Sequence, residues 1–571
     1  MSGRVPDVTV VVAVYNTMPY LTECLTSLLG QSIGRDRLEI VAVDDGSTDD
    51  SGRELDRFAA LYPDTVKVIH QPNSGGPAAP SNRALELATG RFVYFIGSDD
   101  HLGEEALERM VAYADEHDSD VVVGRMVGTN GRYVHQALYK ENDPDVSLYD
   151  SALPFTLANT KLFRRELVEK HKLRFPEHLP VGSDQPFTIE ACVRARRISV
   201  LADYVCYYAV KRGDASNITY RADHLARLDA AAEIMDFTAG LVPAGSDRDA
   251  LLRRHFTWEL AKLVQDDFPA LDREVQRQVC AGVARLATTY FTDGIRDAMD
   301  VKRRVRIALA HAGAIDELSA AISGEKANGA PPFVVEGERA YARYPGFRDP
   351  LVGVSDRVYE LVGEAVPGRL AQGTDLLASG WDQEGERLAY TASVRLPVVG
   401  QVERAGAVLR LAKGAMPKSA DKPGARRLKE DHELPAPVGE FRTEPSADGA
   451  ATVLHARIPL PYATAKRGVR VYLDVAGRTY EIPVRGEGRP MPLARRWGRD
   501  DDPYRASALV NDKGRVVVDT ARLNPPTSTL ARRALGRLVR KAKSRSVGSK
   551  SNGSPQSKSN GSQKPNGSRR K

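Results

Sequence analysis

The stretch Gly97-Ser98-Asp99-Asp100 closes the apolar run Phe92-Val93-Tyr94-Phe95-Ile96. A run that short and that rich in β-formers reads as a buried strand of a parallel sheet. The carboxylates after it then fall at the C-terminal edge, where such sheets bind ligands. Two carboxylates there suit a hard divalent cation, Mg²⁺ or Mn²⁺, with water and phosphate oxygens completing the shell. The same pair, placed just before Glu104 and Glu105, also suits a helix N-cap. Further on, Leu179-Pro-Val-Gly-Ser-Asp-Gln-Pro-Phe187 opens a helical pattern carrying Ile189, Ala191 and Val193. On geometry alone Ser183 or Asp184 is there a helix cap. A third stretch, Lys211-Arg212-Gly213-Asp214-Ala215-Ser216, is either ordinary solvated loop charge or a basic flap that folds over a diphosphate.

The elements that must position these groups alternate between strand and helix. Val8 to Val14 is a β-branched run, followed after Tyr15-Asn16 by Leu21, Leu25, Leu28 and Leu29 at helical spacing. Ile40 to Val43 ends at Asp44-Asp45-Gly46-Ser47, and Leu55 and Phe58 mark the next helix. Val66 to Ile69 is a third strand, and Asn73-Ser74-Gly75-Gly76-Pro77 leads into a helix from about Pro80 to Thr89. Repeated strand-helix units predict a doubly wound parallel sheet. Such a sheet gathers Tyr15, Asp44, Asp45, the glycine loop and Asp99-Asp100 along one edge.

In Val10-Val-Val-Ala-Val-Tyr-Asn16, Val43-Asp-Asp-Gly-Ser-Thr-Asp49, Asn73-Ser-Gly-Gly76 with Asn82, and Gly97-Ser-Asp-Asp100, the sequence resembles the family 2 glycosyltransferases, whose α/β catalytic domain has the Rossmann-like GT-A fold. The resemblance covers about the first 220 residues. It implies a nucleotide-sugar site bordered by Val14, Tyr15, Asp45, Asn73, Asn82, Arg83, Asp99, Arg212 and Ser216. It further implies a metal on Asp99 and Asp100, and Asp184 as the base of an inverting transfer. A carboxylate-bound divalent ion would neutralise charge on the leaving nucleoside diphosphate. The sequence departs from the family at two positions: Gly97 stands where the family has an acid, and Ser81 where it has Arg.

Helical spacing of Leu225, Leu228, Met235, Leu252, Phe256, Leu260 and Leu263 predicts a helical linker over 223–330, after a catalytic domain over 1–222. Beyond a Gly/Pro-rich break at Gly324 to Pro332 the period changes to two. Leu388, Tyr390, Ala392, Val394 and Leu396, and then Val469, Val471, Leu473 and Val475, alternate with other side chains. This predicts an immunoglobulin-like β-sandwich over 366–490 and a small β extension over 491–528. The order of catalytic domain, linker and β region resembles that of wall teichoic acid glycosyltransferases acting on poly(ribitol phosphate). That likeness implies a UDP-sugar donor, a polymer acceptor and a homo-oligomer formed through the β region.

Composition bounds these readings. The 571 residues are too many for one core, and 42% apolar with 27% charged residues describe an ordinary globular chain. Residues 529–571 form a basic tail. From Ala531 onward it holds 13 Lys or Arg and no acid, so the +6 net charge conceals a body of about −7. This excludes a nucleic-acid-binding body and predicts a largely disordered tail able to meet an anionic inner membrane face. Without an 18-residue apolar run or a secretion signal the expected location is the cytoplasm. The scattered Cys24, Cys192, Cys206 and Cys280 read as buried thiols. Two other readings compete with the transferase. One is a nucleotidyltransferase, which would show a glycine-rich basic signature after the first strand. The other is an inactive polysaccharide-binding protein, favoured by Gly97 and opposed by Asp99, Asp100 and Asp184.

Overall fold

Four hydrophobic runs lie side by side as parallel strands: β1 (Val8–Val14), β2 (Leu38–Asp44), β3 (Val66–His70) and β4 (Phe92–Gly97). They belong to a computed structural model that describes residues 5–179, 181–212, 223–336, 339–362, 365–399, 407–413, 425–428, 438–449, 451–475 and 478–523. The sheet continues with β5 (His101–Leu102), β6 (Val121–Thr129), β7 (Leu162–Arg164) and β8 (Ile198–Val210), in the order β3-β2-β1-β4-β7-β6-β8-β5. The uniformly parallel sheet expected from the sequence is therefore confined to its first half. β7 runs antiparallel to both β4 and β6, and β5 antiparallel to β8. β7 has only three residues, too few for any periodicity to announce its direction.

Alternate side chains of the central strands enter two cores. Val10, Val12, Val14, Ile40 and Ala42 face one apolar cluster, and Val11, Val41 and Val43 face the other. Six helices accompany the sheet: α1 (Tyr20–Leu29), α2 (Ser51–Leu61), α3 (Ala78–Glu86), α4 (Ala106–His117), α5 (Arg165–Lys170) and α6 (Asp184–Arg194). Leu21, Leu25 and Leu28 of α1, with Leu107 and Met110 of α4, fill the first cluster. Ala84 of α3 and Phe187 and Ile189 of α6 fill the second. The second cluster also takes Ala230, Ile234 and Leu251 from the helices that follow, so the helical segment shares the catalytic domain's core. Residues 1–334 and 339–365 accordingly form one compact unit.

The helical segment contains His224–Leu241, Ser246–Arg254, Arg273–Tyr290, Val301–His311 and Ile315–Asn328. The last of these passes through Gly324, where a break was expected, and stops at Gly329, whose φ of 76° suits glycine. No helix among the described residues is long and apolar enough to cross a membrane.

The second unit is β-rich. Asp375–Glu384, Arg387–Leu396, Thr452–Pro459 and Glu440–Pro445 form an antiparallel sheet in that spatial order. Ala407–Lys413, Ala465–Val475 and Arg478–Pro483 are neighbours in a second sheet. The two-residue strand Arg426–Arg427 pairs with Arg478–Pro483 at the edge of this second sheet, so the alternating runs form two antiparallel sheets, as their period of two predicts. The strands Arg495–Gly498, Pro503–Val510 and Val516–Arg522 join this second sheet through Ala465–Gly468. They extend the sheet rather than standing apart from it. The basic tail lies outside the described residues.

One polar contact ties the elements of the first unit together at depth. Asn82 on α3, 8% exposed, donates to Phe175 O and Glu177 Oε1 and accepts from Phe175 N, each at 2.9 Å. Asn82→Ala leaves buried backbone groups unpaired. It is expected to cost about 2–3 kcal/mol, read as earlier unfolding of β1 and β4 by hydrogen exchange, with nucleotide affinity unchanged once folded.

Candidate active site

Register sets the site. Val14 on β1 lies beside Asp44 on β2, Ala13 beside Gly97 on β4, and Asp44 beside His70 on β3, so the loops that leave these strands share one edge. Val14 is buried and its carbonyl accepts from Asp45 N at 2.8 Å. Tyr15 follows it, 45% exposed, and Asn16 turns the chain with a φ of 48°. The Asn16 side-chain oxygen accepts from Thr48 N (2.7 Å) and Asp49 N (3.2 Å), which stitches the first loop to the second.

Asp45 is 2% exposed, and it organises the glycine loop. Its carboxylate accepts from Gln71 Nε2 (2.7 Å), Ser74 N (3.1 Å) and Ser74 Oγ (2.9 Å), and Asn73 Nδ2 donates to its carbonyl at 2.9 Å. Gly46 has a φ of 74°, and a Cβ there would meet Asn73 N at 2.7 Å, so only glycine fits. Asp44 is held below the usual carboxylate range. Burial works against its charge, but Ser47 and His70 outweigh it.

The two acids that end β4 have different surroundings. Asp99 Oδ2 pairs with Arg212 Nε at 2.7 Å. Asp100 is buried: Oδ2 accepts from Tyr207 Oη (2.5 Å), and Oδ1 from Val210 N (2.6 Å) with Arg132 Nη1 at 3.4 Å. Burial and the adjacent Asp99 push the Asp100 carboxyl up to about 6. Both Asp100 oxygens thus accept hydrogen bonds that fix the turn to β8. Among the described residues no three His, Cys, Asp or Glu side chains cluster as metal ligands. Asp99, through the oxygen that Arg212 does not take, is the one member of the pair open to a cation. Gly97 also has a steric reason. A Cβ there would lie 3.0 Å from Asp99 Oδ1 and 3.0 Å from Asp100 Oδ2.

Asp184 opens α6 half-buried, and among the described residues its carboxylate has no side-chain or ion-pair partner, accepting only from its own backbone N–H. Burial raises it above the usual carboxylate range, against the pull of Arg254 and Lys161. Lys161 is itself buried, donating to Thr156 O at 2.5 Å and to Ala158 O, and burial lowers its ammonium to about 8. Asn82 and Arg83 both have partners within the protein. Asn82 is spent on Phe175 and Glu177, and Arg83 pairs with Glu86 along its own helix. Ser216 lies outside the described residues.

Beside α6 a π-helical turn, His255–Glu259, interrupts the helical segment, a feature common near functional sites. It presents Trp258 to a cavity of about 560 Å³ that Tyr133, His135, Phe155, Arg253 and Arg303 also line. Its rings meet edge-on, Phe155 and Trp258 at 5.1 Å and His135 and Trp258 at 5.6 Å. Arg253 sits 5.7 Å from the Phe155 ring and has no carboxylate partner among the described residues. Sequence reading missed Lys161, Tyr207, Arg132, Arg254 and this cavity, because most of their partners are distant in the chain and no local spacing announces them.

A family model for glycosyl transferase family 2 matches residues 9–175, and one for the linker domain of glycosyl transferase TarS matches residues 226–322. The crystal structure of residues 1–349 of Staphylococcus aureus TarS with UDP-GlcNAc is 30% identical. The likeness covers 59% of this chain and 97% of that one, with a TM-score of 0.52. The chain belongs to glycosyl transferase family 2. Family 2 enzymes often use a divalent metal. Over 214 residues the chain is 42% identical to the poly(ribitol-phosphate) β-glucosyltransferase of Bacillus spizizenii, covering 37% of this chain and 34% of that protein. The match thus spans about a third of the length of this and the staphylococcal TarS relatives. Over the longer TarS structure the match reaches 90% of this chain and 85% of that one, at 22% identity and a TM-score of 0.55, a likeness of fold.

The Asp100 environment has a measurable signature. The folded state holds the Asp100 proton to about pH 6, whereas an unfolded carboxyl titrates near 4. The native state therefore binds more protons in that window, and this contribution to stability is lost as pH rises through it. Between pH 4 and 6 the stability of Asp100→Asn is expected to rise relative to wild type by on the order of 2 kcal/mol. Denaturant unfolding followed by hydrogen exchange in β4 measures the slope.

Proposed function

We propose that this chain is an inverting glycosyltransferase. It moves a hexosyl or N-acetylhexosaminyl group from a UDP-sugar to a hydroxyl of a phosphate-linked polyol polymer of the cell wall, of the poly(ribitol phosphate) class. The observation that carries the reading is Asp184: a carboxylate with no side-chain partner among the described residues and with raised proton affinity, in a segment matching a relative crystallised with UDP-GlcNAc. In this reading Asp184 takes the proton of the acceptor hydroxyl as that oxygen attacks the anomeric carbon. The new glycosidic bond forms as the bond to the diphosphate breaks, UDP leaves with the electron pair, and configuration inverts. One base suffices, because no covalent intermediate intervenes.

Tyr15 borders the nucleobase, while Asp45 and Asn73 shape the loop beneath the nucleotide. Arg212 brings a cation to the diphosphate. A Mg²⁺ or Mn²⁺ ion would be held by Asp99 and would add charge neutralisation on the leaving group, with Asp100 supporting the turn rather than sharing the ion. The acceptor reaches Asp184 by way of the aromatic cavity, where Trp258 and Phe155 offer faces to a polyol chain and Arg253 offers a charge to its phosphates. Self-association through the β-rich unit and contact of the basic tail with anionic lipid remain part of this proposal. Family membership argues against a nucleotidyltransferase, and an intact Asp184 against an inactive binding protein.

Asp184→Asn is expected to lower kcat by 10²–10⁴-fold, roughly the share a general base contributes, while calorimetry finds UDP-sugar affinity within about twofold of wild type. Unchanged turnover would make Asp184 a helix cap and overturn the reading. Arg253→Ala is expected to raise KM for the polymer by roughly tenfold, one lost charge-assisted contact, and to leave KM for the donor unchanged.

A further inference from the structure

Arg254 ends the helix Ser246–Arg254 immediately before the π turn. It is 8% exposed, a costly place for a guanidinium without a task. Its Nη1 donates to Gln185 Oε1 at 2.8 Å and lies 2.9 Å from Glu259 Oε1, and its plane sits 5.3 Å from the Trp258 ring. Gln185 is the residue after Asp184. Arg254 Nε has no hydrogen-bond partner among the described residues, so packing and helix closure do not account for the whole group. The π turn is what allows this. Arg253 lines the cavity while Arg254, its neighbour, reaches the start of α6.

We infer that Arg254 is the positioning residue for Asp184, and that the helical segment therefore completes the catalytic site instead of serving as a spacer. This rests on the reading of Asp184 as the base. Arg254 fixes the first turn of α6 through Gln185 and supplies the positive charge that faces the Asp184 carboxylate. Lys161 adds a second cation, and Glu259 opposes both. The other described side chains packed around α6 are apolar or neutral. α5 and the helix His224–Leu241 present Leu167, Val168 and Ile234, Cys192 and His255 are buried, and burial keeps His255 neutral at about 4. The His178–Glu233 pair is exposed. Glu259 thus holds Arg254 in place while tempering its charge.

The test is the pH profile of kcat/KM for transfer by the full chain, with UDP-sugar affinity measured in parallel. In Arg254→Met the acid limb is expected to move up by about one pH unit, the usual effect of removing a nearby opposite charge, with donor affinity unchanged. Arg254→Lys is expected to bring the limb back. Glu259→Gln is expected to move it the other way, toward lower pH, which no simple loss of folding would do. A limb that stays put in both Arg254→Met and Glu259→Gln overturns the inference. If Arg254→Met does not fold, Glu259→Gln alone decides. If Asp184→Asn keeps its activity, the base assignment itself has failed, a result distinct from an unmoved limb in a chain whose Asp184 is essential.

Discussion

The lateral register of β1 between β2 and β4 is the constraint on which the site depends. Backbone pairing sets Val14 against Asp44 and Ala13 against Gly97, and a shift of a single residue would turn every inward side chain outward. Because both faces of these strands are buried in separate cores, such a shift would expose one core and overfill the other. The cleft loops inherit their alignment from that penalty. Their own hydrogen bonds, from Asn16 to Thr48 and from Asp45 to Ser74, then refine what the sheet has already placed.

The same economy runs through the acids. Four carboxylates stand at strand ends, and all are engaged within the protein: Asp44 by Ser47 and His70, Asp45 by Gln71 and Ser74, Asp99 by Arg212, Asp100 by Tyr207 and Val210. Long cationic side chains reach two of them, Arg212 at Asp99 and Arg132 at Asp100. Acidic density at this edge therefore reflects scaffolding more than ligand binding, since carboxylates are the strongest acceptors available for loop N–H groups. The negative charge left at Asp99 is what Arg212, or an incoming cation, answers.

Much of this was legible in the sequence, for physical reasons that differ by element. The first four strands announced themselves because strands buried on both faces are uninterrupted hydrophobic runs. Strand ends, and so the positions of Tyr15, Asp45 and Asp99, followed directly. The alternating strands of the β-rich unit were equally plain, with Leu388, Tyr390 and Val394 all buried as expected. What was not legible depends on partners distant in the chain. Nothing local says that Asn82 would be spent on Phe175, that Tyr207 would cap Asp100 from more than a hundred residues away, or that a three-residue strand would reverse the sheet. Adjacency in sequence likewise says nothing about which of Asp99 and Asp100 already accepts hydrogen bonds within the protein.

The π turn at His255–Glu259 has a consequence for how this protein can change over time. A π turn holds one residue more than the α turn it replaces, so losing a single codon there would restore a regular helix and swing all that follows by about 100°. Trp258 and Glu259 would leave the cavity and Arg254 together. Point substitution can tune either face of that turn, but only an insertion or deletion can abolish it, and such events are rarer and seldom neutral. The geometry joining the helical segment to the base is thus inherited as a block, while the residues on either side of it stay open to drift.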